Sequence, residues 1–181
     1  SNMIAALRAP APAAAAQIDH LNARGVFSGN VTVTKRSDRT ATDVKGLVRF
    51  EKVSLAPEDP SVRIDNLDGI AEVTSNSVVI KPGTTGTLSG EKFAVDGTIA
   101  DSAGIDLTLE AERFNLNRNL IADLEPLVPW LREVHNRFGI EGPMSAKIKL
   151  RGPPDQLVME GNVEFIDLVA RPAGLPNVRI E

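Results

Sequence analysis

The chain has no cysteine and no tyrosine, and only two of its 181 residues are histidine. Without cysteine there is no disulfide framework and no thiolate metal site. An oxidising compartment is thereby allowed but not indicated. Aromatic residues make up 4% of the chain, a poor inventory for stacking a planar ligand or for an active site built on His, Cys or Tyr. There is no basic excess either: 20 Lys and Arg stand against 24 Asp and Glu, a net charge of −4. That argues against nucleic acid as the main partner, since phosphate binding needs a basic surface. No apolar run approaches the ~18–20 residues of a membrane span. Ser1-Asn2-Met3 reads as a cloning scar rather than a signal peptide, so any anchor or export signal is expected outside these residues.

What is present begins with the stretch from Leu116 to Gly142. Apolar residues fall at Leu120, Ile121, Leu124, Leu127, Val128, Leu131, Val134 and Phe138, which is helical spacing with one apolar stripe. Asn117 or Asn119 can cap its start, and Gly139 stands where a left-handed C-terminal residue belongs. Pro126 and Pro129 cannot both sit in one helix interior, because each removes a backbone donor and crowds the preceding turn. The expectation is a short helix, a kink near 125–129, and a second helix to about Arg137. Trp130 is expected to pack on a sheet.

The same stretch recurs at the other end of the chain. Asn2-Met-Ile-Ala-Ala-Leu7 matches Asn119-Leu-Ile-Ala-Asp-Leu124, and Gly25 answers Gly139. Gly46-Leu-Val-Arg-Phe50 answers Gly161-Asn-Val-Glu-Phe165, and Pro60-Ser-Val-Arg-Ile64 answers Pro176-Asn-Val-Arg-Ile180. The spacings of 114, 115 and 116 residues agree, so the chain reads as about one and a half units of a stacked repeat, cut from a longer array. On that reading residues 1–24 are scar plus the helical segment of the first repeat. Residues 25–116 are its sheet, 117–138 the kinked helix opening the second repeat, and 139–181 that repeat's truncated first strands.

Between the helical segments apolar and polar residues alternate. Val31 and Val33, Val48 and Phe50, Val62 and Ile64, Phe93 and Val95, then Ile105, Leu107 and Leu109 each mark a one-sided strand. Ile148 and Leu150 follow, then Val163 and Phe165. Asp68-Gly69 reads as a turn or a bulge, after which the strand resumes, and Pro82 to Gly86 as a turn. No crossover helices separate the strands, so the pattern predicts a mainly β (α+β) chain: a curved antiparallel meander with an apolar concave face and one kinked helical segment per ~115-residue repeat. About six strands at ~4.8 Å make a wall roughly 29 Å wide, against ~10 Å for one helix. A single helix thus covers about a third of the apolar face. The rest is either ordinary core, closed by the sheet curling or by the next repeat, or a groove suited to acyl chains.

No constellation supports catalysis, and no cofactor or metal site is expected. His20 and His135 sit at similar places in the two helical copies and read as surface or packing residues. Asp65-Asn66-Leu67-Asp68-Gly69 lacks the glutamate that a calcium loop needs seven residues on, where Asn76 stands. Gly83 to Lys92 is glycine-rich but fits neither a Walker loop nor a dinucleotide fingerprint. Lys147, Lys149 and Arg151 share one strand face, most simply a solvated, cross-paired one.

The Gly-x-Val-x-Phe strands at Gly46 and Gly161, the Pro-x-Val-Arg-Ile starts at Pro60 and Pro176, the run from Asp106 to Leu116 and the Leu-rich helix leading into Gly142 together resemble the AsmA-like proteins of diderm bacteria, a group with TamB-type members. The resemblance spans residues 25–181 and is to a style of repeat. It implies a long periplasmic protein anchored in the inner membrane, similar to the repeating-β-groove lipid-transfer proteins and engaged in outer-membrane biogenesis. Its implied partners are phospholipid or another acyl lipid and neighbouring repeats of the same chain. A second implied role is a scaffold that offers sheet edges to outer-membrane proteins. No catalytic residues come with the family. The fifteen residues from Val31 to Phe165 named above as strand markers are the expected lipid-facing set.

Overall fold

One-sided strands joined by tight turns fold each new strand back beside the last. In the computed structural model, which describes residues 22–35, 42–56, 63–101, 103–126, 128–153, 156–171 and 178–180, the outcome is a single eight-stranded antiparallel meander, not closed into a barrel. Its strands are β1 (Arg24–Lys35), β2 (Thr42–Leu55), β3 (Ile64–Thr74), β4 (Ser77–Leu88), β5 (Glu91–Ala100), β6 (Gly104–Leu116), β7 (Gly142–Gly152) and β8 (Val158–Phe165). Spatial order equals chain order throughout. A small ribbon pairs β9 (Leu168–Ala170) with β10 (Val178–Ile180). The mainly β expectation holds.

The helical stretch breaks where its prolines require. Helix α1 runs Arg118–Leu124 and α2 runs Pro129–Phe138. Asn117 caps α1, its side chain accepting from the backbone N–H of Asn119 and Leu120 at 3.0 Å. Pro129 stands at the start of α2, where a missing N–H costs nothing. Gly139 ends it in the left-handed region at φ 57°. Leu120 and Ile121 are buried against Leu116 and Met144, with Leu88, Phe114, Leu124, Leu131 and Ile140 around them. Ser89 Oγ donates to Asp123, which ties α1 to the β4–β5 turn. Trp130 does not pack on the sheet: it is largely exposed, because it lies off the stripe formed by Leu131 and Val134.

Of the turn-or-bulge alternatives at Asp68-Gly69 the structure takes the bulge, and Pro82 to Gly86, which reads as a turn, is also a bulge; both lie inside continuous strands. Asp65 to Gly69 belongs to β3, and the register slips on either side of Asp68. Asn66 is left-handed at φ 51°, and Asp68 Oδ1 accepts from the N–H of Lys52 at 3.1 Å, within the matching bulge of β2. Pro82 and Gly83 likewise form a bulge in β4, between Ile80 and Thr84. Thr84 turns inward there, fully buried, and donates to the carbonyl of Lys81 at 2.8 Å. The actual reversal comes at Ser89 and Gly90. Turn-forming residues serve a bulge as well as a turn, because both need an extra residue or a positive φ.

Strand pairing recurs between the two ends of the sheet. Phe27 pairs with Phe50, Gly29 with Val48, Val31 with Gly46 and Val33 with Val44. At the other end Met144 pairs with Phe165, Ala146 with Val163, Ile148 with Gly161 and Leu150 with Met159. First strands correspond at a spacing of 117 residues and second strands at 115. The same spacings carry Arg24–Ser54 onto the Glu141–Val169 bridge. They also set Asn22 (φ 50°) against Gly139 (φ 57°), and Gly25 (φ 153°) against Gly142 (φ 143°). The sequence match of Gly25 with Gly139 is therefore three residues out. Asn and Gly are interchangeable at a left-handed position, and matching glycine to glycine hid this. The helical segment expected within residues 3–24 lies, up to residue 21, outside the described residues. Its expected end at Gly25 is corrected, since Arg24 already belongs to β1.

Candidate functional site

Register decides which residues share a face. Starting from Val31 and Val33 on β1, the cross-strand pairs lead to Val48 and Phe50 on β2 and through Ile64 on β3 to Leu88 on β4. They continue to Phe93 and Val95 on β5, then Ile105, Leu107 and Leu109 on β6. Ile148 and Leu150 on β7 follow, then Val163 and Phe165 on β8. Fourteen of the fifteen expected residues thus lie on one face of one sheet, and Val62 falls outside the described residues. The same face holds residues that the expected set omits: Val44, Val53, Ala71, Val73, Val78, Ile80, Ile99 and Met159. Val78 and Ile80 were hidden in an unbroken apolar run, and Val53 and Ala71 by bulges that shift the parity.

The face is covered unevenly. The helices close one end, at Leu88, Phe114, Leu116 and Met144. A second cluster joins Phe50, Val53 and Ala71 to Ala23, Phe27, Leu55, Leu67 and Val78, all from β1 to β4 and the residue before them. Ile105, Leu107, Leu109, Ile148 and Leu150 belong to neither cluster and are half-buried. Val33, Met159, Val163 and Phe165, toward the two sheet edges, are exposed. Among the described residues only eleven apolar side chains are buried, a thin core for a wall that eight strands widen to roughly 38 Å.

The opposite face is polar and cross-paired. Lys147 Nζ lies 3.2 Å from Glu110 Oε2, while Arg151 Nε and Lys149 Nζ lie 3.5 and 3.9 Å from Asp106 Oδ1. The basic row is therefore neutralised by its neighbour strand, as its alternation implied. Lys81 hydrogen-bonds Glu72 at 2.7 Å, and this bond, with the lysine's charge, holds the Glu72 carboxyl below the usual carboxylate value. Two shallow depressions lie on this charged side. One of about 480 Å³ is lined by Thr108, Lys147, Lys149 and Glu160, and one of about 360 Å³ lies beside Glu110 and Glu164.

Other candidates resolve into structure. His135 Nδ1 meets the carbonyl of Ile140 at 3.1 Å across the end of α2, and His20 lies outside the described residues. Among the described residues no group of three or more His, Cys, Asp or Glu could hold a metal, and no helix is long and apolar enough to cross a membrane. Comparisons with protein-family models, curated proteins and solved structures find no match for this chain.

Proposed function

We propose that this chain is a non-enzymatic segment of an AsmA-like periplasmic protein, whose apolar sheet face binds or conducts phospholipid acyl chains. One observation carries the reading. The apolar face runs across all eight strands, and its strip over β6 and β7 joins neither core cluster and is only partly buried. Side chains in that state gain from contact with a hydrocarbon at roughly 25 cal/mol per Å² removed from water. An acyl chain suits such a strip because it needs no polar partner, and the strip offers none. The residues that carry the family resemblance, Gly46 to Phe50 and Gly161 to Phe165, lie on this sheet as paired strands.

Native mass spectrometry tests the reading, on protein purified from diderm bacterial cells and again after incubation with phospholipid. The expected result is bound lipid, lowered at least about tenfold in a Leu107→Glu, Ile148→Glu variant that keeps its β circular dichroism. No lipid carried and none taken up would remove the acyl-chain reading. The sheet would then stand as a structural spacer.

A further inference from the structure

Bulges and burial coincide on the apolar face. The β2–β3 pairing slips between Phe50 and Val53, β3–β4 on either side of Asp68, and β4–β5 between Ile80 and Thr84. Phe50, Val53, Ala71 and Thr84 stand at those slips, Val95 pairs with Thr84, and all five are buried. Val44 and Val48, further along β2, are buried too. The β6–β7 pairing slips between Ala111 and Phe114. The buried Leu116 and Met144 lie just beyond that slip, packed against Leu120 and Ile121 of α1.

Between these places the ladder is unbroken. Strand β5 pairs with β6 without a slip from Ala94–Glu110 to Ala100–Gly104, and β6 pairs with β7 from Ile105–Gly152 to Ala111–Ala146. The apolar residues there, Ile105, Leu107, Leu109, Ile148 and Leu150, are only partly buried, although both strands have a neighbour on each side. Position at a sheet edge therefore does not account for their exposure. The missing bulges do. An extra residue bends its strand and sharpens the local twist, which drives side chains of one face together across neighbouring strands. A regular ladder leaves them side by side and perpendicular to the sheet, with their outer ends free.

From this we infer that the apolar face is partitioned. Its β2–β4 part is closed by its own side chains, with Phe50, Val53 and Ala71 packed by Phe27, Leu55 and Leu67, and it takes no ligand. The acyl chain sits over the unbroken stretch of β6 and β7, residues 105–111 and 146–152. This rests on the acyl-chain reading and narrows it: the segment holds a tail at one seat and does not pass it on across β2–β4. Both edges of β6 and of β7 are already paired, so an occupant gains no backbone ladder there. A polypeptide laid on the strip would bring peptide groups that apolar side chains cannot satisfy, whereas a hydrocarbon tail brings none. Only side chains that still meet water gain from being covered.

A phosphatidylcholine with a diazirine in one acyl chain tests the partition on the whole chain, without substitution. After incubation and illumination, the adducts are placed by peptide mass spectrometry. Residues 105–111 and 146–152 are expected to carry roughly tenfold or more the label found on residues 44–53 and 71–80. Equal labelling of the two sets, or more on the second, overturns the partition and leaves the acyl-chain reading in place. Labelling confined to residues 158–165 also overturns it, since lipid would then touch only β8. No adduct on any strand removes the acyl-chain reading, and the partition with it.

Discussion

The hairpins β1–β2 and β7–β8 share a register, yet their apolar residues fare differently. Val48 and Phe50 are each 8% exposed, whereas their equivalents Val163 and Phe165 are 49% and 53% exposed. Val44 is buried and its counterpart Met159 is not. The residue types barely change between the copies. What changes is position: β2 has a strand on each side, and β8 only one. Burial in this sheet is thus a property of what lies beside a strand, and an identical pattern at an edge leaves the same side chains in water.

The sharpest way to break that comparison is to truncate both phenylalanines. Phe50→Ala should cost about 3–5 kcal/mol, because it empties a site packed by Val53 and Ala71. Phe165→Ala should cost under about 1 kcal/mol, since its ring already meets solvent. Urea unfolding of the two variants checks both values, and equal losses would mean that β8 is covered in solution.

The paired glycines come next. A Cβ on Gly46 would lie 2.6 Å from the carbonyl oxygen of Asn30, and one on Gly161 lies 2.6 Å from that of Lys147. Both contacts are with backbone, so the strands must separate locally. Gly46→Ala should cost about 1–3 kcal/mol, because β2 is clamped between two strands. Gly161→Ala should cost less, because β8 can swing outward, and the same unfolding measurement ranks the two.

A smaller effect probes the charged rows. Replacing Glu110 and Asp106 together by Thr should cost roughly 0.2–1 kcal/mol for each exposed pair lost, and less at high salt. Denaturation midpoints at low and at 1 M salt should converge for the parent and the variant. The same exchange on β1 has no counterpart, since Asn30 and Thr34 have no ion pairs to lose.

The smallest effect is pH dependence at Glu72. Its carboxyl titrates lower folded than unfolded, because Lys81 favours the charged form. The stability it adds is therefore complete above the unfolded carboxylate value and disappears as pH falls through the folded one. Glu72→Gln should lower the melting temperature slightly at pH 7 and make no difference well below about pH 4, so that the two pH curves converge in acid.

Much of this was legible beforehand where the signal was local. Asn117, Pro129 and Gly139 placed the break and both ends of the helical segment, because capping and proline chemistry act within one turn. Parity within a strand placed fourteen face residues, because side chains alternate strictly. The bulges were only partly legible, since Asp68-Gly69 fits a turn and a bulge equally. Asp65 to Gly69 and Pro82 to Gly86 have turn composition, and only the partner strand reveals that pairing continues past them. Trp130 was misjudged because size suggested burial where only its angle on α2 mattered.

Taken alone, the order of residues determined that this chain makes one-sided antiparallel strands and a broken helix between two related halves. Each of those follows from neighbours within a few positions. The tertiary structure decided which strands lie inside the sheet and which lie at its edge, and so which apolar residues are core and which face water. That follows from pairings between residues far apart in the chain, where a single inserted residue turns a side chain from one face to the other.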